Sequence, residues 1–440
     1  MALTGRTGLV AALSAIVVLF APRPGLAVAG LLLVLAALVV VDLLLAGSVR
    51  ELRLERSGEH RVRLGDTVRV TLTVANPGRR RVRGLIRDAW PPSARAQPRH
   101  QALDVPAGER RRVVTTLVPS RRGDRESAAV TVRSVGPLGL AARQGSHTVP
   151  WTVRVLPPFL SRTHLPAKLS RLRELEGRNP VLIRGQGTEF DSLREYVAGD
   201  DVRSIDWRAT ARRHDVVVRT WRPERDRRVL IVLDTSRTSA GRVGVDPASG
   251  DPSGWPRLDW SMDAALLLAA LAVRAGDRVD FLAHDRTVRA WVSGASRTEL
   301  LSVLVNAMAP IEAELVEADA EGMVAAILAR AAHRCLVVVL TDLNPAALEE
   351  GLLPVLPQLA SRHLVLLAAV SDPRITAMAE GRDTPEKVYD AAAAEYLRSG
   401  RRRMTARLRQ HGVEVVDALP EQLAPALADA YLALKAAGRL

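Results

Sequence analysis

The sequence predicts an α/β chain in three parts: two apolar membrane helices, an all-β module, and a mostly parallel, doubly wound α/β domain. Three observations carry this reading. Two apolar stretches, Gly8–Ala21 and Gly25–Gly47, open the chain. Between Val49 and about Pro157 the hydrophobic residues recur at every second position. From Val229 onward short apolar runs alternate with longer helical patterns, as parallel strands joined by helices require. The expected boundaries are residues 1–48, 49–157, 158–228 and 229–440.

At 440 residues the chain is long enough for roughly two or three domains. Its net charge of +14 is carried by arginine, since lysine stands only at Lys168, Lys387 and Lys435. A basic surface beside a membrane favours anionic lipid headgroups. Aromatic residues make up 3%, too few for a base-stacking surface, so no nucleic-acid partner is expected. The lone Cys335 excludes an internal disulfide and fits a reducing compartment.

In chain order, Gly25–Gly47 is long enough to span a bilayer, whereas Gly8–Ala21 is short for a span. Pro22-Arg23-Pro24 breaks any single helix between them, so the pair reads as a tight helical hairpin. Arg6 precedes it and Arg50, Arg53 and Arg56 follow. The positive-inside bias then puts both ends in the cytoplasm, giving a multi-pass protein of the plasma (inner) membrane with its bulk cytoplasmic. A cleaved signal peptide over the first stretch, followed by one anchor, is the competing reading. No A-x-A cleavage pattern stands near Ala21. Asp42, near the cytoplasmic end of the second stretch, reads as an interfacial residue rather than a proton carrier.

Thr67–Ala75 alternates apolar and polar residues and turns at Asn76-Pro77-Gly78; Arg111–Val118, Ala128–Val135 and Trp151–Leu156 repeat the pattern. Short strands with regular turn signals suggest a small β-sandwich of immunoglobulin-like kind. Nothing in it has catalytic spacing, so it reads as a spacer or partner-binding module. Leu156–Asn179 reads as a connector, helical around Ala167–Glu176.

The stretch from Arg184 to Trp221 is dense in charge. Gly185 and Gly187 permit a sharp turn. Asp191 is placed to cap a short helix through Tyr196, with Phe190 and Leu193 as buried positions. Gly199-Asp200-Asp201 reads as a turn, and Asp201 as the cap of a second helical turn containing Ile205 and Trp207. Val216–Trp221 reads as a strand. Glu189, Glu195, Asp200, Asp201 and Asp206 are interleaved with Arg194, Arg203, Arg208, Arg212 and Arg213, which suits bidentate Arg–carboxylate pairs. That network is either a structural clamp between domains or a docking face or active site. No Gly-Lys-Ser/Thr follows Gly185-Gln186-Gly187, so this is not a nucleotide-binding loop.

The run GQGTEFDSLREYVAGDDVRSIDWRATAR strongly resembles the signature of the bacterial DUF58 family, a domain of unknown function. The resemblance covers roughly Leu156 to Leu440. It marks Gly185, Gly187, Glu189, Phe190, Arg194, Tyr196, Gly199, Asp200, Asp201, Arg203, Asp206, Trp207 and Arg208 as signature or interaction positions.

In the last segment, strands are expected at Val229–Leu233, Arg278–Ala283, Val288–Val292, Cys335–Leu340, Leu364–Val370 and Val413–Val416. Helices are expected at Asp259–Ala275, Arg297–Met308, Gly322–Ala332, Ala346–Ala360 and Glu421–Lys435. Ligands of such sheets sit beyond the carboxyl ends of the strands, where Asp234 and Asp342 stand. Asp234-Thr235-Ser236-Arg237-Thr238 resembles the Asp-x-Ser-x-Ser motif of von Willebrand factor A domains, and Thr341-Asp342 resembles that site's later Asp. The resemblance implies a degenerate Mg²⁺ site at Asp234, Ser236, Thr238 and Asp342, all hard oxygen ligands. It is degenerate because Val316–Met323 offers no counterpart to the middle Thr, and Asn344 stands where Gly is usual. The alternative is that both acids cap helix starts.

Cys335 reads as a buried small hydrophobe, His284-Asp285 as turn structure, and Arg398–Arg403 as a solvated helix face with a lipid or nucleic-acid contact as the alternative. The nine histidines form no metal-ligand spacing. The expected function is therefore a membrane-anchored scaffold or adaptor for protein partners, and not an enzyme. The family resemblance further implies a MoxR-type AAA+ ATPase as companion. The alternatives are a hydrolase using the acids between Glu189 and Asp206 or a metal at Asp234, and direct binding of anionic polymers.

Overall fold

A computed structural model of the chain describes residues 2–178, 189–197, 200–213, 215–222, 227–246, 250, 252 and 254–440. Two units divide at Pro158 and Phe159.

The first unit begins with strand β1 (Ala2–Leu3) and helices α1 (Gly5–Leu19) and α2 (Pro24–Leu45). Among the described residues α2 is the helix long and apolar enough to cross a membrane; α1 is apolar but shorter, at 15 residues. Strands β2 (Arg53–Gly58), β3 (Arg61–Arg63), β4 (Val68–Ala75), β5 (Val82–Ala89), β6 (Gln101–Val105), β7 (Arg110–Leu117), β8 (Gly123–Glu126), β9 (Ala129–Val135), β10 (Ala141–His147) and β11 (Thr152–Leu156) follow. They form sheets ordered β1-β10-β9-β5-β6, β2-β4-β7 and β3-β11-β8. Inward residues of the first two sheets, Leu72 and Val74 of β4 and Val82, Ile86 and Val132 of β5 and β9, share one core. Period-two patterning produces this directly, because alternate side chains leave a strand on opposite faces.

Both helices are bonded to one turn between β9 and β10. The Thr4 N–H and the Thr7 hydroxyl donate to the Leu140 carbonyl. Asp42, fully buried near the end of α2, accepts the N–H groups of Leu138, Leu140 and Ala141 at 2.7, 2.8 and 2.8 Å. A Cβ at Gly136 would stand 2.2 Å from the Asp42 carboxylate, so only glycine admits that approach. Arg56 and Asp88 form a second buried pair, and Asp88 also accepts from Trp90 Nε1 at 2.8 Å.

The second unit takes in the expected connector from Phe159 to Arg178. Ser161 donates its N–H to Asp263 at 3.1 Å, and Lys168 and Arg171 of helix α3 (Leu165–Arg178) pair with Asp429 at 2.7 and 2.9 Å. Then come strand β12 (Glu189–Glu195), helix α4 (Trp207–Arg213) and strand β13 (Val217–Arg222). Here the expectation of a short helix through Tyr196 fails: residues 189–195 pair antiparallel with 217–222. The β-branched run at Val216–Val218 supplies a strand partner, and a cross-strand ladder outweighs a single Asp cap.

The α/β core has strands β14 (Arg228–Asp234), short β15 (Arg242–Val243) and β16 (Trp255–Pro256), then helix α5 (Arg257–Arg274), β17 (Arg278–His284), β18 (Val288–Val292), α6 (Leu300–Met308), α7 (Ala320–Arg330) and β19 (Leu336–Leu340). Two helical pieces, α8 (Pro345–Ala347) and α9 (Leu353–Ala360), precede β20 (Leu364–Val370), α10 (Pro373–Glu380), α11 (Pro385–Gln410), β21 (Glu414–Ala418) and α12 (Pro420–Ala436). The main sheet runs β18-β17-β14-β19-β20-β21, parallel except for β18. Near-continuous apolar strands such as LVVVL and LVLLAAV are what a parallel sheet covered on both faces demands. Helix α5 is buried along almost its whole length. The chain order reverses between β14 and β19, and such a reversal opens a crevice at the strands' carboxyl ends.

Candidate binding site at the carboxyl edge of the sheet

Each parallel strand hands an aspartate to this edge. Asp234 ends β14, Asp285 follows β17, Asp342 and Asp372 lie two residues beyond β19 and β20, and Asp417 stands in β21. Four of the five meet arginine. Asp285 pairs with Arg289 at 2.5 Å, Asp372 with Arg374 at 2.8 Å, and Asp417 with Arg401 at 2.7 Å. Asp342 accepts from Arg401 at 2.8 Å and faces Arg257 at 3.5 Å.

Asp234 differs. It is 4% exposed, and among the described residues no Lys or Arg pairs with it. Its donors are neutral: the Ser236 N–H at 2.8 Å, the Thr238 hydroxyl at 2.9 Å and the Thr341 hydroxyl at 2.6 Å. The Ser236 and Thr238 hydroxyls lie 3.1 Å apart, and the Ser239 hydroxyl holds the Asp234 carbonyl. Among the described residues this carboxylate is thus buried among hydroxyls without a compensating charge, which is costly unless hydrogen bonds or a cation satisfy it.

The surrounding shell fixes this loop. Thr235 donates its N–H to the His284 carbonyl and its hydroxyl to Asp285 at 3.1 Å. Residues 311–319 run alongside, Glu314 and Arg237 exchanging backbone bonds with Thr235 and Val316. Burial works against ionisation of Asp285, but Arg289, the N–H groups of Thr287 and Arg286, and Thr235 hold its carboxyl below the usual range. Burial lowers the pKa of His284, against the opposing pull of Asp319, Asp285 and Asp234. Burial also disfavours charge on Arg401, yet Asp417 and Asp342 outweigh it and raise the guanidinium's pKa.

The four residues expected as a metal set are therefore not one cluster. Asp234, Ser236 and Thr238 come together, with Thr341 joining them; Asp342 is turned to two guanidinium groups, which compete with any cation for its oxygens. The hard oxygens around Asp234 fit a Mg²⁺-type ion, and Asp342 fits one only after releasing Arg401. Sequence reasoning missed Arg401, taken with its neighbours for a solvated face although its side chain is 14% exposed. Nothing local signals it, since its partners lie 59 and 16 residues away.

In the charged stretch, Gly185, Gly187 and Gly199 lie outside the described residues, and so do the side chains of Glu189 and Phe190. Arg194 pairs with Asp200 at 2.5 Å and Arg219 with Asp206 at 2.8 Å. These two pairs tie the stretch to itself rather than to another domain. Asp201 accepts the Arg203 N–H at 3.0 Å, capping a short turn. Asp206 accepts the N–H groups of Arg208 and Ala209 at 3.0 Å, capping α4; the Ala209 bond and then Arg219 hold its carboxyl below the usual range. Tyr196, Arg203, Trp207 and Arg208 are exposed. Cys335 is buried beside His363, and burial pushes its thiol up to about 11, as a small core residue rather than a nucleophile requires.

A family model described as "Protein of unknown function DUF58" matches residues 192–414, just over half of the chain. No curated protein sequence matches. Among solved structures, the CARDB domain of the PF1109 protein from Pyrococcus furiosus aligns at 13% identity and a TM-score of 0.19, over 24% of this chain and 87% of that one. A PapD-like domain of human CEP192 aligns at 12% identity and 0.17, over 24% and 85%. A β-glucosidase from Listeria innocua aligns at 16% identity and 0.15, over 22% of this chain and 16% of that one. Likenesses this weak carry no functional argument.

Proposed function

The chain belongs to the DUF58 family, and from that premise we propose that it is a membrane-anchored scaffold that binds protein partners at the carboxyl edge of its α/β unit. In this reading the α/β unit is von Willebrand A-like and the β-rich unit immunoglobulin-like. The carrying observation is Asp234, buried among hydroxyls and, among the described residues, without an arginine where its four counterparts at the edge each have one. Such a group takes a hard cation with open positions. A Mg²⁺ held by Asp234, Ser236 and Thr238 would leave room for water or a partner's carboxylate. The partner proposed, on the family resemblance, is a MoxR-type AAA+ ATPase.

Anchoring is proposed as a two-helix hairpin in the inner membrane with the bulk of the chain cytoplasmic. The bonding of Thr4, Thr7 and Asp42 to one turn supports it, because both helices then leave and return at one place.

The test is affinity purification of the full chain and its Asp234→Ala variant from solubilised membranes, with Mg²⁺ titration calorimetry on each. The reading expects partners and Mg²⁺ heat for the wild type, both lost in a variant that still unfolds cooperatively. Equal recovery of partners by both would overturn it.

A further inference from the structure

The carboxyl edge carries a second feature, away from Asp234. Beyond the ends of β20 and β21, helices α10 and α11 enclose a groove of about 510 Å³. Arg398, Arg401, Arg402 and Arg409 line it, together with Asp372 and Asp417. Arg398, Arg402 and Arg409 fall on one face of α11, at spacings of four and seven residues. The acids are already satisfied: Asp417 by Arg401 and Asp372 by Arg374. The arginines are not all so. Arg398 meets Glu395 at 2.6 Å, Arg402 reaches the same residue only at 3.5 Å, and among the described residues Arg409 has no ion pair. The groove thus presents more cationic donors than it consumes.

We infer that this groove binds an extended acidic segment of a protein partner. Charge complementarity selects the acidic ligand, since guanidinium forks match carboxylates in two-point contacts. The lining selects a peptide over nucleic acid. Among the described residues no aromatic ring lines it for a base to stack on. Ile375 and Ala406 add apolar surface for the side chains that alternate with carboxylates along an extended chain. Arg401 is the fixed floor, held by Asp342 and Asp417, while Arg402, with its long contact to Glu395, and Arg409 are exposed.

The inference rests on the reading of the α/β unit as a partner-binding domain, but its test needs neither the partner nor Mg²⁺. The full chain in detergent micelles is titrated into a fluorescein-labelled decapeptide of alternating glutamate and leucine, read by fluorescence polarisation. Arg402→Glu/Arg409→Glu reverses two groove charges, Arg110→Glu/Arg112→Glu makes the same charge change on the exposed end of β7, and Ile375→Trp fills the groove without altering charge. The expected result is that the groove reversal and Ile375→Trp each weaken binding about tenfold or more, while the β7 variant and Asp234→Ala bind within about twofold of wild type. Three results would overturn the proposal: no binding by wild type, equal losses in both reversal variants, or tighter binding of a thymidine oligonucleotide than of the peptide. None of these touches the reading of Asp234, which stands or falls on Mg²⁺ heat and partner recovery.

Discussion

Asp42 shows how much one carboxylate decides in this chain. It sits in an apolar helix, yet both its oxygens are taken by backbone donors of the Gly136–Ala142 turn, and Gly136 is cut back to make space. Replacing Asp42 with Ala leaves two buried N–H groups, those of Leu140 and Ala141, unbonded, at about 1–3 kcal/mol each, and frees the part-buried N–H of Leu138. The expected outcome is faster hydrogen exchange confined to residues 136–142, measured by mass spectrometry; exchange as slow as in wild type would refute the role. Asp88 makes a second case. Asp88→Ala strands a buried Arg56 guanidinium and should cost about 3–5 kcal/mol in urea unfolding. Arg219→Ala should cost far less, because its bond to Asp206 lies at the half-exposed surface of the hairpin. Legibility at this scale depended on distance along the chain. Asp234, Ser236 and Thr238 lie within five residues and could be read together. Thr341 donates to Asp234 across 107 residues, and Arg401 reaches Asp342 across 59, so no local pattern announces either.

Among the elements, strands and helices of the α/β core were legible because burial on both faces leaves an apolar run with turn residues at its ends. Leu364–Val370 is such a run, and its ends coincide with the observed strand. The hairpin β12–β13 was half legible: Val216–Trp221 has the β-branched content of a strand, whereas Glu189–Glu195 is polar and charged and becomes a strand only through its partner. The end of β17 makes a testable statement about pH. Burial lowers the pKa of His284 there, and of His363 at the start of β20. The unfolded chain then binds these protons better than the folded one. The stability this represents is present above about pH 6.5 and is lost as pH falls through the lowered folded values. Asp263 acts in the opposite sense: burial raises its pKa, so its contribution is present below the ordinary carboxylate value and is lost as pH rises through the raised one. His284→Gln should therefore flatten the fall in urea midpoint between about pH 7 and pH 5. An unchanged slope in the variant would assign the pH dependence elsewhere.

For the whole molecule, the first unit supplies the argument about topology. Helix α2, at 22 residues, extends about 33 Å and matches a hydrocarbon core of about 30 Å; α1, at 15 residues, extends only about 22 Å. A short helix can still cross if the bilayer thins around it or flanking residues carry the remainder. The proposed hairpin has α1 share the membrane with α2, and the way both are held is what it rests on. Strand β1 pairs with β10, Thr7 bonds Leu140, and Asp42 bonds Leu140 as well, so the start of α1 and the end of α2 meet on one turn of the β-rich unit. A cleaved first segment would discard β1 and the Thr7 bond. Reporter fusions after Leu440 and inserted at Arg23 decide between the readings. The hairpin expects a cytoplasmic reporter to be active at Leu440 and an external one at Arg23. The intact mass of the purified chain should retain residues 2–21. A mass lacking those residues, or an external reporter active at Leu440, would replace the hairpin with a single anchor and leave the Asp42 contact as the one tie between helix and β-rich unit.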